Sequence, residues 1–264
     1  MRKFNKLFIL ISIILLSFTC MGCKSDENLG DFYSLSMSYS LGWLNKEDLV
    51  EISNRKTMPE ESMDKEISKK IRQKYYNNIK NKYENKTVDD IYFITYFGMY
   101  NGCYVVQIGI DGYGFTGEVY QGSVGGVEFT FTSIDILVWR QNEISIDEYV
   151  KLYYLYKYIE QDTATIKEVY IDKKLGVYND AYVLLMSDKY TEYSDTINKE
   201  TIGDYVFEYS NCNLLVYYKT KFYNIKEAYR GGLLKVEDIE KIYKQFPKPS
   251  GDGIEVNGEV VKVF

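Results

Sequence analysis

The 264-residue chain contains no histidine. A Ser-His-Asp triad, a histidine-ligated metal and a histidine general base are therefore excluded. Cysteine is scarce too, with four in all: Cys20 and Cys23 near the start, Cys103 and Cys212 far apart downstream. A disulfide framework in a small exported domain needs more of them at regular spacing, and this separation matches no zinc motif. Cys103 lies in an apolar run and reads as a small buried hydrophobe, with a Cys103–Cys212 bridge as the alternative. Nor is there a bilayer-length apolar run. The longest, Leu7–Leu16 interrupted by Ser12, is 10 residues, against the roughly 20 that a spanning helix requires. Positive charge is in deficit, 32 Lys and Arg against 38 Asp and Glu, which argues against a nucleic-acid partner.

What is present begins with the leader. Arg2, Lys3 and Lys6 precede the apolar run, and Ser17-Phe18-Thr19-Cys20-Met21-Gly22-Cys23 closes it with small residues. Charge, length and exit together read as a secretory signal peptide. The Gly22-Cys23 junction resembles the lipobox of bacterial lipoproteins. That resemblance implies a diacylglycerol on the Cys23 thiol and cleavage just before it. The match departs where Cys20 replaces the usual Leu; Cys20 is the alternative acceptor, although Thr19 is a poorer exit than Gly22. A plain secreted protein with an incidental Cys23 is the competing reading. Removing residues 1–22 takes away three positive charges and no negative one from a net −6, leaving the mature chain at −9. With 45 % hydrophobic and 16 % aromatic residues, that chain has the material for a folded core. The 28 tyrosines reflect overall composition before function.

An internal repeat organises the rest. Residues 88–139 align without a gap to 166–217 at an offset of 78, with ten identities in 52 positions. Gly98-Met99-Tyr100-Asn101 matches Gly176-Val177-Tyr178-Asn179, and Tyr104-Val105 matches Tyr182-Val183. A second echo, at an offset of 190, relates Phe32-Tyr33, Tyr39, Gly42, Leu44, Glu47-Asp48 and Ile52 to Phe222-Tyr223, Tyr229, Gly232, Leu234, Glu237-Asp238 and Ile242. Each of these segments reads as two short helices about a Gly turn, the second capped by Asn45 in the first copy and left with Lys235 in the other. Pro59-Glu60-Glu61 is a favourable start for a longer helix seamed by Ile67, Ile71, Tyr75, Ile79 and Tyr83; its counterpart is 146–160. Val- and Tyr-rich runs predict strands at 91–97, 103–110, 127–132 and 136–140, the last two joined as a hairpin, with a second set at 168–174, 181–187, 205–209 and 214–218.

The expected fold is therefore α+β: two tandem repeats of a helix plus about four antiparallel strands, flanked by helical hairpins and followed by a C-terminal β-hairpin. Its divisions are a leader at 1–22, anchor and tether at 23–31, a helical hairpin at 32–56, repeat units at 57–142 and 143–221, a second helical hairpin at 222–246, and a linker and β-hairpin at 247–264. The Tyr96–Gly102 turn, the Tyr104–Ile108 and Ile136–Trp139 strands and the Phe222–Ile242 helical pair resemble an uncharacterised module of exported proteins from low-GC Gram-positive bacteria. The resemblance spans most of 32–246 and implies fold and export but no activity.

Candidate sites are few. Gly112–Gly117 spells a dinucleotide fingerprint, but strands rather than a helix are expected on both sides, so no nucleotide or other cofactor is predicted. Asp89-Asp90 and Glu47-Asp48 are adjacent pairs suited to solvent or capping. The best candidate is the repeated turn, Tyr100, Asn101 and Gly102 with Tyr178 and Asn179. Asn-Gly suits a left-handed turn, while a tyrosine in both copies suggests a contact surface. Tyr113 and Phe115 in the Gly-rich 109–126 loop are further contact candidates. The reading is a membrane-anchored, extracytoplasmic lipoprotein acting as a non-enzymatic binding module, with an envelope or extracellular protein as partner. The alternative is a glycan-binding protein or hydrolase using carboxylates such as Glu118, Glu128 or Asp135.

Overall fold

The computed structural model describes residues 29–261 except 55–57, 114–119, 132–134, 160, 162, 191–196, 248–253 and 257–258. The leader, Cys23 and Phe115 thus lie outside the described residues. The chain divides into two units, one ending at Ile144 and one beginning at Ser145. Among the described residues no helix is long and apolar enough to cross a membrane.

The first unit opens with a four-residue strand, β1 (Asp31–Ser34), then helices α1 (Leu35–Ser40), α2 (Lys46–Ser53) and α3 (Lys65–Ile79). Strands follow: β2 (Ile91–Tyr100), β3 (Cys103–Ile110), β4 (Tyr120–Val124), β5 (Val127–Phe131) and β6 (Leu137–Arg140). The second unit starts with α4 (Ile146–Tyr158) and continues with β7 (Val169–Tyr178), β8 (Ala181–Asp188), β9 (Asn198–Ile202), β10 (Tyr205–Tyr209), β11 (Asn213–Tyr218) and β12 (Lys221–Asn224). It closes with α5 (Ile225–Arg230) and α6 (Val236–Gln245); β13 (Ile254–Val256) and β14 (Glu259–Val261) form the expected C-terminal hairpin.

Each unit has one four-stranded antiparallel sheet, ordered β1-β6-β3-β2 and β12-β11-β8-β7, and one two-stranded ribbon, β4-β5 and β10-β9. The 78-residue offset carries β2–β6 onto β7–β11, and the 190-residue offset carries β1, α1 and α2 onto β12, α5 and α6. The same strand–helix–helix piece therefore precedes its unit in one case and ends it in the other. In the second unit Lys219 and Thr220, both at positive φ, make the two-residue turn between β11 and β12. At the equivalent place in the first unit the chain is open, and Asp31 simply pairs with Arg140. The two units are circular permutants of one fold.

This changes the role of the helical hairpins. The segments at 32–56 and 222–246 are not flanking additions, because each supplies an edge strand and the cover for one sheet face. Val183 and Leu185 of β8 pack with Ile225, Ala228, Leu234, Ile239, Ile242 and Phe246 on that face. Leu184 and Met186, pointing the other way, pack with Val150, Tyr154 and Leu155 of α4. A sheet covered on both faces calls for apolar residues at successive positions, which is why β3 and β8 read as continuous hydrophobic runs. In the first unit α3 lays Ile71 against Val106, Ile108 and Trp139.

Three local expectations are corrected. The strand at 127–131 pairs with β4 across Gly125-Gly126, and not with 136–140. Both of those glycines have positive φ, the backbone that a tight two-residue hairpin demands, whereas β6 enters the sheet between β1 and β3. Tyr205–Tyr209 likewise pairs with β9 rather than with β11. Part of the supposed 109–126 loop is therefore strand. Third, Glu60–Ser62 form only a single 3-10 turn; α3 begins afresh at Lys65, because the Asp64 carboxylate accepts from the amides of Glu66 and Ile67. Asn45 caps α2 with Asp48 reciprocating, while Lys235 provides no side-chain cap to α6. Of the adjacent carboxylate pairs, Asp48 and Asp90 are engaged in caps.

Cys103 and Cys212 are both free thiols. Burial pushes Cys103 up to about 11 and Cys212 up to about 12. A chain beginning at Lys24 is accordingly expected to show buried Cys103 unreactive and half-buried Cys212 slow towards a maleimide at mildly alkaline pH, and both labelled once unfolded. Rapid labelling of the native chain would contradict this burial.

Candidate functional site

The repeated turn can be built residue by residue. Ten-residue strands β2 and β7 each carry a bulge just before Gly98 and Gly176. These glycines sit at φ of 127° and 128°, a backbone that side-chain-bearing residues avoid. Two residues on, the tyrosine folds back. The Tyr100 hydroxyl donates to the Phe97 carbonyl at 3.2 Å, and that of Tyr178 to the Leu175 carbonyl at 3.1 Å. The Tyr178 ring lies so close over Gly176 that a Cβ there would meet it at 2.8 Å.

Asn101 and Asn179 then take φ of 50° each. Each side-chain amide reaches the loop between the two short helices: Asn101 Nδ2 donates to the Trp43 carbonyl at 3.0 Å, Asn179 Nδ2 to the Leu233 carbonyl at 3.1 Å. Trp43 and Leu233 are equivalent under the 190-residue offset. The turn thus ties the β2–β3 and β7–β8 hairpins to the helical pair that completes each unit. Gly102 follows at φ 78°, and Asp180 holds the same place in the second copy at 63°, a left-handed conformation that Asp tolerates better than most residues.

This accounts for a tyrosine and an asparagine in both copies without a ligand. Tyr100 is pushed up to about 12 by burial and then by the Glu51 and Asp48 carboxylates. Burial also raises Tyr178. Both phenols remain neutral at physiological pH and serve as donors, not bases. Beside the exposed Asn101, Gly102 and Asn179, the apolar side chain that the turn offers outward is the one between glycine and tyrosine, because strand alternation sends it to the opposite face. Met99 is 58 % exposed and Val177 57 %. The pair has a signal in the sequence: two aligned apolar residues flanked by positions with structural duties.

The other candidates do not join this turn. Tyr113 follows the far end of β3, roughly 25 Å of strand away; it is exposed and stands edge-on to Tyr83 at 4.5 Å between ring centres. Glu118 lies outside the described residues, and Glu128 points outward from β5 between buried Val127 and Phe129. In the second unit, the buried Tyr154 hydroxyl donates to Asp188 Oδ2 at 3.1 Å and accepts from Asn213 Nδ2 at 2.9 Å. Burial, then the Asp188 charge, raises its pKa strongly, so this trio fastens α4 to the sheet and offers no nucleophile. Among the described residues no group of three or more Cys, Asp or Glu side chains could hold a metal ion.

No protein family, curated protein or solved structure gives a significant match to the chain.

Proposed function

We propose that the chain is a lipoprotein anchored through Cys23 on the extracytoplasmic face of a cell membrane, where it acts as a non-enzymatic binding module for a protein partner. The duplicated tip carries the reading. Two copies of one fold, only modestly alike in sequence, both leave an apolar side chain more than half exposed at the same position. In both, the neighbouring tyrosine and asparagine hold that position in place by bonds to the backbone. A rigid, preorganised apolar contact binds at low entropic cost. The leader chemistry supplies the address, since lipid chains contribute about 0.8 kcal/mol per buried methylene.

Two experiments test the two halves. Cys23→Ala should abolish labelling by a fatty-acid probe; labelling that persists in the variant would overturn the anchor. For the binding half, an immobilised chain starting at Lys24 is exposed to envelope and secreted fractions. A protein retained by wild type and lost at least tenfold by Met99→Asp/Val177→Asp supports the module. Retention unaffected by that double variant contradicts it, and retention of glycan alone would favour the glycan-binding or hydrolase alternative.

A further inference from the structure

Helix α3 has a charge unlike the rest of the molecule. It contains five basic side chains and one acidic one, Glu66, with Lys80 and Lys82 just past its end, in a chain whose net charge is −6. Some of this charge is already engaged. Arg72 pairs with Glu60 at 2.6 Å and lies over the Phe93 ring, and Lys74 pairs with Asp31 at 3.4 Å. Lys65, Lys69, Lys70 and Lys80 have no ion-pair partner among the described residues. At helical spacing they spread over the side turned away from buried Ile71. The matching helix of the second unit, α4, carries Asp147, Glu148, Lys151 and Lys157 and is balanced. The shared fold therefore does not require a basic helix here.

The position of α3 relative to the incoming chain gives its charge a meaning. The Lys74–Asp31 pair and the edge-on contact of Tyr75 with Phe32, 5.9 Å between ring centres, fasten α3 beside the first strand. Cys23 precedes Leu29 by six residues, a reach of about 20 Å at full extension, which is about the length of α3 itself. Whatever membrane holds Cys23 is thus within reach of this helix. Beyond the end of α3, Tyr83 meets Tyr113 edge-on, with Lys86 Nζ 5.7 Å from the Tyr113 ring centre, and these are rings of the kind that settle at headgroup level.

We propose that the lysine face of α3 is a docking surface for the anionic lipid headgroups of the membrane that carries the anchor, holding the first unit against the bilayer. The proposal rests on the lipid-anchor reading of Cys23 for the identity of the membrane. Its test does not use the acyl anchor. All the packing described involves residues from Leu29 onward, so a chain starting at Lys24 retains the fold and bears no acyl group.

The experiment is co-sedimentation of that chain with vesicles of phosphatidylglycerol and phosphatidylcholine, and with vesicles of phosphatidylcholine alone. The proposal expects binding to the anionic vesicles only, lost in about 1 M salt, where the screening length is about 3 Å. Lys65→Gln/Lys69→Gln/Lys80→Gln should weaken the partition about a hundredfold, from the roughly fivefold contribution of each lysine at a charged surface. A control, Lys199→Gln/Lys226→Gln/Lys241→Gln in the second unit, makes the same change in net charge and should bind as wild type. Wild type binding neither vesicle, binding both equally, or losing as much to the control as to the α3 variant would each overturn the proposal. Should the vesicle result hold while Cys23→Ala still takes up the fatty-acid probe, the anchor reading alone fails.

Discussion

Trp139→Ala should lower the stability of the first unit by about 5 kcal/mol, from the cavity left by a large buried aromatic plus a lost hydrogen bond. Trp139 is fully buried among Ile71, Val106 and Ile108, stands edge-on to Tyr104, and donates its indole N–H to the Leu29 carbonyl at 2.9 Å. That bond and the β1–β6 pairing join residues more than a hundred positions apart, so the substitution removes both core volume and the fastening of the first strand. A loss of this size is comparable to the whole stability of many small domains. Urea unfolding followed by emission from Trp43, the chain's other tryptophan, checks it. A loss below about 2 kcal/mol would mean that the site collapses around the gap and that β1 is held by other means.

The second large effect is a contrast between equivalent glycines. Gly176→Ala should cost about 3 kcal/mol and Gly98→Ala about half of that. Both place a Cβ on a backbone near φ 128°, at similar conformational cost. They differ in their surroundings. At Gly176 the added carbon would stand 2.8 Å from the Tyr178 ring, whereas at Gly98 its nearest neighbours are 3.6 Å away, an ordinary contact. The excess in the second unit is therefore the displacement of Tyr178 and of its bond to Leu175. Far-UV circular dichroism follows the transition, with tryptophan emission as an internal reference, because both tryptophans belong to the first unit. Equal losses at the two sites would contradict the packing described for Tyr178.

Much of this architecture is legible in the amino-acid order. The gapless 78-residue offset places five strands onto five strands, and the apolar runs mark the two-sided burial of β3 and β8. The permutation leaves a trace in the order, although the two hairpins read as flanking additions until their edge strands are seen. A unit repeated in the same order would put the echo of Phe32–Ile52 just after Arg140, yet it appears 190 positions on, after the second block. Strand partners were harder to read. Alternation in 127–131 gives a face but not a neighbour, and the choice of β4 is made by two glycines at positive φ. β1 is only four residues long and reads as the start of a helix; its extended form is imposed by pairing with β6, a tertiary effect outside any local window.

The candidate site was legible in part. Asn101-Gly102 announces a left-handed turn from composition alone. The tyrosine beside it also has an architectural duty, covering a glycine bulge, and that depends on the bulge and on a backbone carbonyl three residues back. Neither is visible in a one-dimensional pattern. The repeat points to Tyr100 and Tyr178, whereas the exposed apolar side chains are their neighbours Met99 and Val177.

Each unit is completed by a strand and two helices that lie, in chain order, on opposite sides of the duplicated block. The most direct measurement is the folding of fragments cut in two ways. Fragments 29–144 and 145–247, which keep those pieces, should give dispersed amide spectra and cooperative thermal unfolding. Fragments 57–142 and 143–221, which keep only the repeat, should give neither, because removing 222–246 strips Ile225, Leu234, Ile239, Ile242 and Phe246 from the sheet face they cover. A cooperative, well-dispersed 143–221 fragment would show that the repeat folds alone and would contradict the account.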